Sequence, residues 1–168
     1  MNRNQTFKVK IVKVSDYRNN QRLLSEFFPS SYKLIRRSCN LYPKSFVWYW
    51  ENILKGNHHE MCLALVDDDI VGVSILEKCE DKEKICAFTV DEDCCDMCDS
   101  IAEKLFLASF EYLGTTTPLI IIPEYKLPEF ESFVKQYDWK QTQILDHDYG
   151  YGYYHYVLHE IVFNGIIS

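Results

Sequence analysis

The sequence predicts one α/β domain over residues 1–168, α+β by its mixed sheet, with about seven mostly antiparallel strands flanked by about four helices. Three observations predict it. Strand-period and helix-period segments alternate along the chain with no low-complexity linker between them. One strand–helix–strand unit, from Ile85 to Ile122, implies a parallel pair and a right-handed crossover. The 168 residues, 47% of them hydrophobic and 15% aromatic, are enough for a single core.

The elements follow in order. Phe7 to Val14 alternates apolar and polar, the period of a half-buried strand. Ser15 or Asp16 then caps a helix carrying Leu23, Leu24, Phe27 and Phe28, which Pro29 is expected to stop, and Ser31 to Asn40 is ambiguous, a second short helix being one reading. From Lys44, the residues Phe46, Tyr49, Trp50, Ile53 and Leu54 keep helical spacing, with Gly56 as the expected C-cap.

Two apolar runs, 61–66 and 70–76, joined by Asp67-Asp68-Asp69, form an antiparallel hairpin. The run 85–90 is apolar enough for a strand covered on both faces. After an acidic, cysteine-bearing loop, a helix places Ile101, Leu105, Ala108 and Tyr112 on one stripe, beside Ala102, Phe106, Ser109 and Leu113, and ends at Gly114. Leu119 to Ile122 is a short buried strand. Pro128 opens a helix with Phe130, Phe133, Val134 and Tyr137 facing inward, and 139–145 and 153–163 are the last two strands.

Charge and composition narrow the function classes. The formal charge of −7, from 25 acidic and 18 basic residues, repels phosphate backbones and excludes nucleic acid as the expected partner. Arg36-Arg37 is the one adjacent basic pair of note. Apolar runs such as 119–122 fall far short of the roughly 20 residues of a membrane span, so no membrane is expected. The polar N-terminus leads straight into a strand and reads as no signal peptide. With seven scattered cysteines this points to a reduced, cytoplasmic setting.

Several clusters are weighed and set aside. Cys94, Cys95 and Cys98 contain one Cys-x-x-Cys spacing, but a structural zinc needs four ligands and His58-His59 lacks the usual spacing, so no metal and no disulfide is expected there. Asp91, Asp93 and Asp99 superficially suit a calcium loop, yet Asp96 stands where glycine is needed and Ala102 where glutamate is. His147, His155 and His159 read as surface or strand residues. The ring-rich segments Tyr42–Trp50 and Tyr149–Tyr156 read first as packing, with some rings left to line a groove or to cover a partner such as a second copy in a homodimer.

The order strand–helix–helix–three strands–helix–strand–helix–two strands resembles that of the GNAT acyltransferases. The segments 84–92, 106–122 and 127–139 are similar to the family's fourth strand, its third helix with the fifth strand, and its fourth helix with the following turn. The resemblance implies that acetyl-CoA or another acyl-CoA lies along Phe88, Thr89 and Val90. Its pyrophosphate would be held at the helix start Met97, Cys98, Asp99, Ser100, Ile101 and Ala102, as anions are at helix N-termini.

Ser100 and Ala102 are small, as the family signature requires; Met97 replaces its polar or cationic residue, and Asp91, Glu92, Asp93, Asp96 and Asp99 surround the site with carboxylates. Aminolysis needs a group to take the amine proton. By placement the candidates are Asp91, Glu92 and Glu124. Val134 stands where many members have a tyrosine that protonates the leaving thiolate, and Tyr137, one turn away, is the substitute.

The implied activity is acyl transfer to a primary amine of a small molecule or peptide. The departures from the signature keep a second class open, a non-catalytic binding module built on the same groove.

Overall fold

The computed structural model describes residues 7–38, 46–56, 58–78, 80, 83–115, 118–123, 127–136, 140–149 and 154–162. Strands β1 (Val9–Lys13), β2 (His59–Val66), β3 (Asp69–Glu77), β4 (Lys84–Val90), β5 (Leu119–Pro123), β6 (Lys140–Tyr149) and β7 (Tyr154–Val162) form one sheet in the order β1-β2-β3-β4-β5-β7-β6. Every neighbouring pair is antiparallel except β4 with β5, the strands of the expected crossover. Among the described residues four α-helices complete the fold: α1 (Gln21–Ser38), α2 (Phe46–Tyr49), α3 (Cys98–Leu113) and α4 (Leu127–Gln136).

The chain between β1 and α1 departs from expectation. Ser15 and Asp16 lie in a 3-10 turn, Val14–Tyr17, and do not cap α1. Asn20 does, accepting the Leu23 N–H on its side chain at 3.2 Å and the Leu24 N–H on its carbonyl at 3.1 Å. Nor does Pro29 stop the helix. The expected break and second helix are one continuous α1.

A proline inside a helix removes one hydrogen bond and crowds the preceding turn. Here the buried stripe Leu24, Phe28, Ser31, Ile35 runs past it without interruption, while Pro29 itself is exposed. Tertiary burial on both sides therefore decides the outcome.

α2 passes directly into a π-helical turn, Trp50–Leu54, in which the Lys55 N–H reaches back five residues to the Trp50 carbonyl at 3.0 Å. The wider turn brings Tyr49, Ile53 and Leu54 all into the core. Gly56 follows it without the left-handed cap geometry; a Cβ there would sit 2.4 Å from the Asn52 carbonyl oxygen, so close approach is what requires glycine. The β2–β3 turn is tight, with Asp67 at φ 50° and Asp68 at φ 68°, the primed geometry that fits strand twist.

The sheet separates two cores. On one face Val12, Leu63, Val73, Ile75 and Ala87 pack against α1 and the α2 region; on the other Ala64, Leu76 and Ile85 pack against α3 and Phe130 of α4. α3 sits close because β3 presents Gly72, whose added Cβ would meet Ala64, Ile101 and Leu105 at 3.2–3.4 Å. Gly114, at φ 72°, ends α3 by donating its N–H to the Phe110 carbonyl at 2.8 Å.

β4 is not covered on both faces as expected. Ile85, Ala87 and Thr89 are buried while Cys86, Phe88 and Val90 are half-buried. The physical reason is that part of this strand borders an opening.

Candidate functional site

The opening begins at an irregularity in β4. Ile75 pairs with Ala87 and Leu76 with Ile85, leaving Cys86 as an extra residue, a β-bulge. Ile85 packs with the α3 core, Cys86 and Ala87 both pack with the α1 core, and Phe88 and Val90 return to the α3 side. The β4–β5 ladder holds only Lys84 with Leu119 and Ile85 with Ile120. Beyond the bulge the two strands carry no mutual pairs, so a gap opens between them toward their C-terminal ends.

Beside β4, on the α3 side, lies a cleft of about 490 Å³. Phe88, Thr89 and Val90 form its strand wall, Cys98, Asp99 and Ala102 its helix wall, and Glu92 and Phe130 its rim and far side. Phe88 is fixed there by stacking on Phe106, centroids 3.9 Å apart and planes 8° from parallel, with the Phe130 ring 5.9 Å away.

The first turn of α3 meets this cleft. A 3-10 turn, Glu92–Met97, leads straight into it, and its N-cap, Met97, makes no side-chain cap hydrogen bond. The first N–H groups of a helix have no intrahelical partners and carry the positive end of the dipole. The chain leading into them is well held: the Asp91 N–H donates to the Val71 carbonyl at 2.7 Å, and the Cys98 thiol donates to the Asp91 carbonyl at 3.6 Å. Neither Cys94 nor Cys98 is in a disulfide, and both are half-buried.

Six of the nine residues expected at an acyl-CoA site therefore line one cleft: Phe88, Thr89, Val90, Cys98, Asp99 and Ala102. The other three do not. Met97 packs against the α3-side core, Ile101 is fully buried within it, and Ser100 is exposed in the first turn but outside the lining. Sequence spacing alone cannot separate these, because one helical turn points residues in all directions.

Of the acid–base candidates, Glu92 lines the cleft, whereas Asp91 is engaged elsewhere. The Asp91 carboxylate accepts from Arg37 Nη2 at 3.1 Å and from the Asp93 N–H at 3.2 Å, and Arg37 also lies 3.6 Å from Asp93 Oδ2. Asp91 thus holds the loop in shape. Glu124 and Tyr137 lie outside the described residues, and so does the side chain of Val134. Sequence reasoning missed two contributors: Phe130, read only as core, and Arg37, noted only as half of a basic pair. The helical period did signal an inward-facing Phe130, but nothing local links Arg37 to Asp91.

No family model matches this sequence, and no curated protein matches it either. Solved structures do match. The ribosomal-protein-S18-alanine N-acetyltransferase from Escherichia coli is similar with a TM-score of 0.65 at 11% identity, over 97% of both chains. A probable acetyltransferase from Staphylococcus epidermidis ATCC 12228 is similar with a TM-score of 0.60 at 13% identity, over 94% of this chain and 98% of that one. A protein from Bacillus anthracis str. Ames in complex with acetyl coenzyme A gives 0.55 at 12% identity, over 68% and 67%.

The architecture is the GNAT acetyltransferase fold, as the element order suggested. Among the described residues no helix is long and apolar enough to cross a membrane.

Proposed function

We propose that this chain is an acyl-CoA-dependent N-acyltransferase that moves an acyl group, most simply acetyl, onto a primary amine of a small molecule or peptide. The observation that carries the proposal is the parting of β4 and β5 beside an uncapped helix start, with Phe88–Val90 and Ala102 on one cleft. Free strand-edge amides and carbonyls of β4 suit the pantetheine arm, and the α3 N–H groups suit the pyrophosphate. The Bacillus anthracis neighbour, solved with acetyl coenzyme A, supports this choice of co-substrate.

In the reaction we infer, the neutral amine attacks the thioester carbonyl, a C–N bond forms, the C–S bond breaks, and coenzyme A leaves as a thiol once it takes up a proton. Glu92, on the rim, is the candidate to accept the amine proton. The net negative charge favours a cationic acceptor, and Cys62, Cys86, Cys94 and Cys98, none of them in a disulfide, suit a reducing cytoplasm.

Calorimetric titration with acetyl-CoA tests the reading. Binding is expected for the wild type and its loss for Ala102→Leu, whose larger side chain fills the helix wall while the fold, followed by circular dichroism, persists. Absence of both heat and thermal shift with millimolar acetyl-CoA overturns it.

A further inference from the structure

A second constellation lies on the opposite, α1-facing side of the sheet, where β2 begins and β3 ends. His59, the first residue of β2, pairs directly across the ladder with Glu77, the last of β3. Direct cross-strand neighbours point the same way with Cβ atoms about 4.5–5.5 Å apart. Cys86 joins them from β4, and as the extra residue of the bulge it shares the α1 side with Ala87.

One ligand-type atom from each of the three side chains lies within 4.8 Å of the other two. Cys86 Sγ is already 3.7 Å from Glu77 Oε2. All three residues are half-buried, and the Trp48 ring stands edge-on to His59 with centroids 6.1 Å apart. His59 Nδ1 is removed from solvent and has no hydrogen-bond partner, an arrangement that costs free energy unless something satisfies the ring.

We propose that His59, Glu77 and Cys86 form a zinc(II) site that ties the ends of three strands together. The donor set selects the ion. Magnesium and calcium demand oxygen cages of six or more ligands, whereas imidazole, thiolate and one carboxylate are the usual zinc donors.

Ligand atoms around a tetrahedral zinc stand about 3.3–3.7 Å apart, given bond lengths of about 2.0–2.3 Å, so from separations of at most 4.8 Å the side chains close in by about 1.5 Å at most. On binding, the Cys86 S–H bond breaks, an S–Zn bond forms and the proton leaves to solvent, with no change of oxidation state. Thiolate and carboxylate then balance the ion's two charges, leaving a neutral site in a half-buried place. Three protein ligands leave the fourth tetrahedral position for water or for a heteroatom of a bound molecule. The inference does not depend on acyl-CoA binding, since the site occupies the other face of the sheet.

Untagged protein grown with zinc and dialysed against metal-free buffer is expected to hold one zinc per chain by plasma mass spectrometry. Replacement by cobalt(II) is expected to give a thiolate-to-cobalt charge-transfer band in the near ultraviolet. Cys86→Ser abolishes that band, and His59→Ala and Glu77→Gln each weaken zinc binding at least about tenfold, a loss of the size seen when metal-site partners are removed. Cys94→Ser with Cys98→Ser leaves zinc content unchanged.

A chelator is expected to lower the melting temperature of the wild type but not of Cys86→Ser. Zinc absent from the wild type, a cobalt complex without the thiolate band, or zinc that follows Cys94 and Cys98 instead of Cys86, overturns the site. The wild-type cobalt spectrum decides the matter even if the variants fail to fold.

Discussion

Arg37, in the last turn of α1, places its guanidinium 3.1 Å from the carboxylate of Asp91, at the exit of β4. The contact ties α1 to the loop that leads from β4 toward α3 and offsets part of that loop's negative charge. Of the five carboxylates in this loop region, Asp91 and Asp93 share this one cation. As an exposed pair it contributes little stability, about 0–1 kcal/mol. Its effect on an approaching polyanion is larger.

Arg37→Met is therefore expected to weaken acetyl-CoA binding about two- to fivefold at low salt, and much less when salt shortens the screening length. Titrations at two ionic strengths check it. Equal affinity of variant and wild type at low salt would mean that the pair stabilises the loop alone.

Ser74 and Ser109 form a buried polar link between β3 and α3, with 2.9 Å between their hydroxyls and no exposure of either. Ser109 also donates to the Leu105 carbonyl at 2.7 Å, so Ser74 must be the donor between them. Ser109→Ala strands the Ser74 hydroxyl and is expected to cost about 1–3 kcal/mol. The double alanine variant should lose less than the two single losses combined, which urea denaturation of all four proteins measures.

Gly72→Ala presses a methyl group against Ile101 and Leu105 at the start of α3. Overpacking of this kind costs about 1–3 kcal/mol. Because the same turn forms one wall of the cleft, acetyl-CoA affinity is expected to fall along with the denaturation midpoint. A stability loss with unchanged affinity would show that α3 can shift without moving its first turn.

Burial pushes the Cys62 thiol from 9.0 up to about 12, helped by the nearby Glu60 carboxylate. A group whose folded pKa is raised supports the fold below its unfolded pKa, and this support fades as pH climbs from about 9 toward 12. Stability is expected to fall over that alkaline range and Cys62→Ala to flatten the fall. In mildly alkaline iodoacetamide, peptide mapping should find Cys94 and Cys98 modified well before Cys62.

The sequence made the element order legible because strand and helix periods are strong over 61–76 and 98–113, where one side of each element is buried. It misled at Pro29. The local rule for proline is sound, but the apolar stripe on either side, Leu24 and Phe28 before it and Ser31 and Ile35 after, outweighs it. It also misread 85–90, since an apolar strand beside an open cleft has the same composition as one that is covered.

The cleft residues were legible only as a stretch. Which of Met97 to Ala102 face the opening depends on helix phase relative to the sheet. The trio His59, Glu77 and Cys86 left no pattern at all, because three strands supply it and a bulge orients one member.

That bulge also makes the width of the opening a matter of chain length. With Cys86 counted out, the remaining residues of β4 alternate strictly, Ile85 to one side, Ala87 to the other, then Phe88, Thr89 and Val90 in turn. Deleting this single residue would leave every other side chain of the strand on the side it now occupies. It would also remove the register step against β3, and β4 is then expected to pair with β5 past Ile120. On that expectation the aperture follows from one surplus step in the backbone.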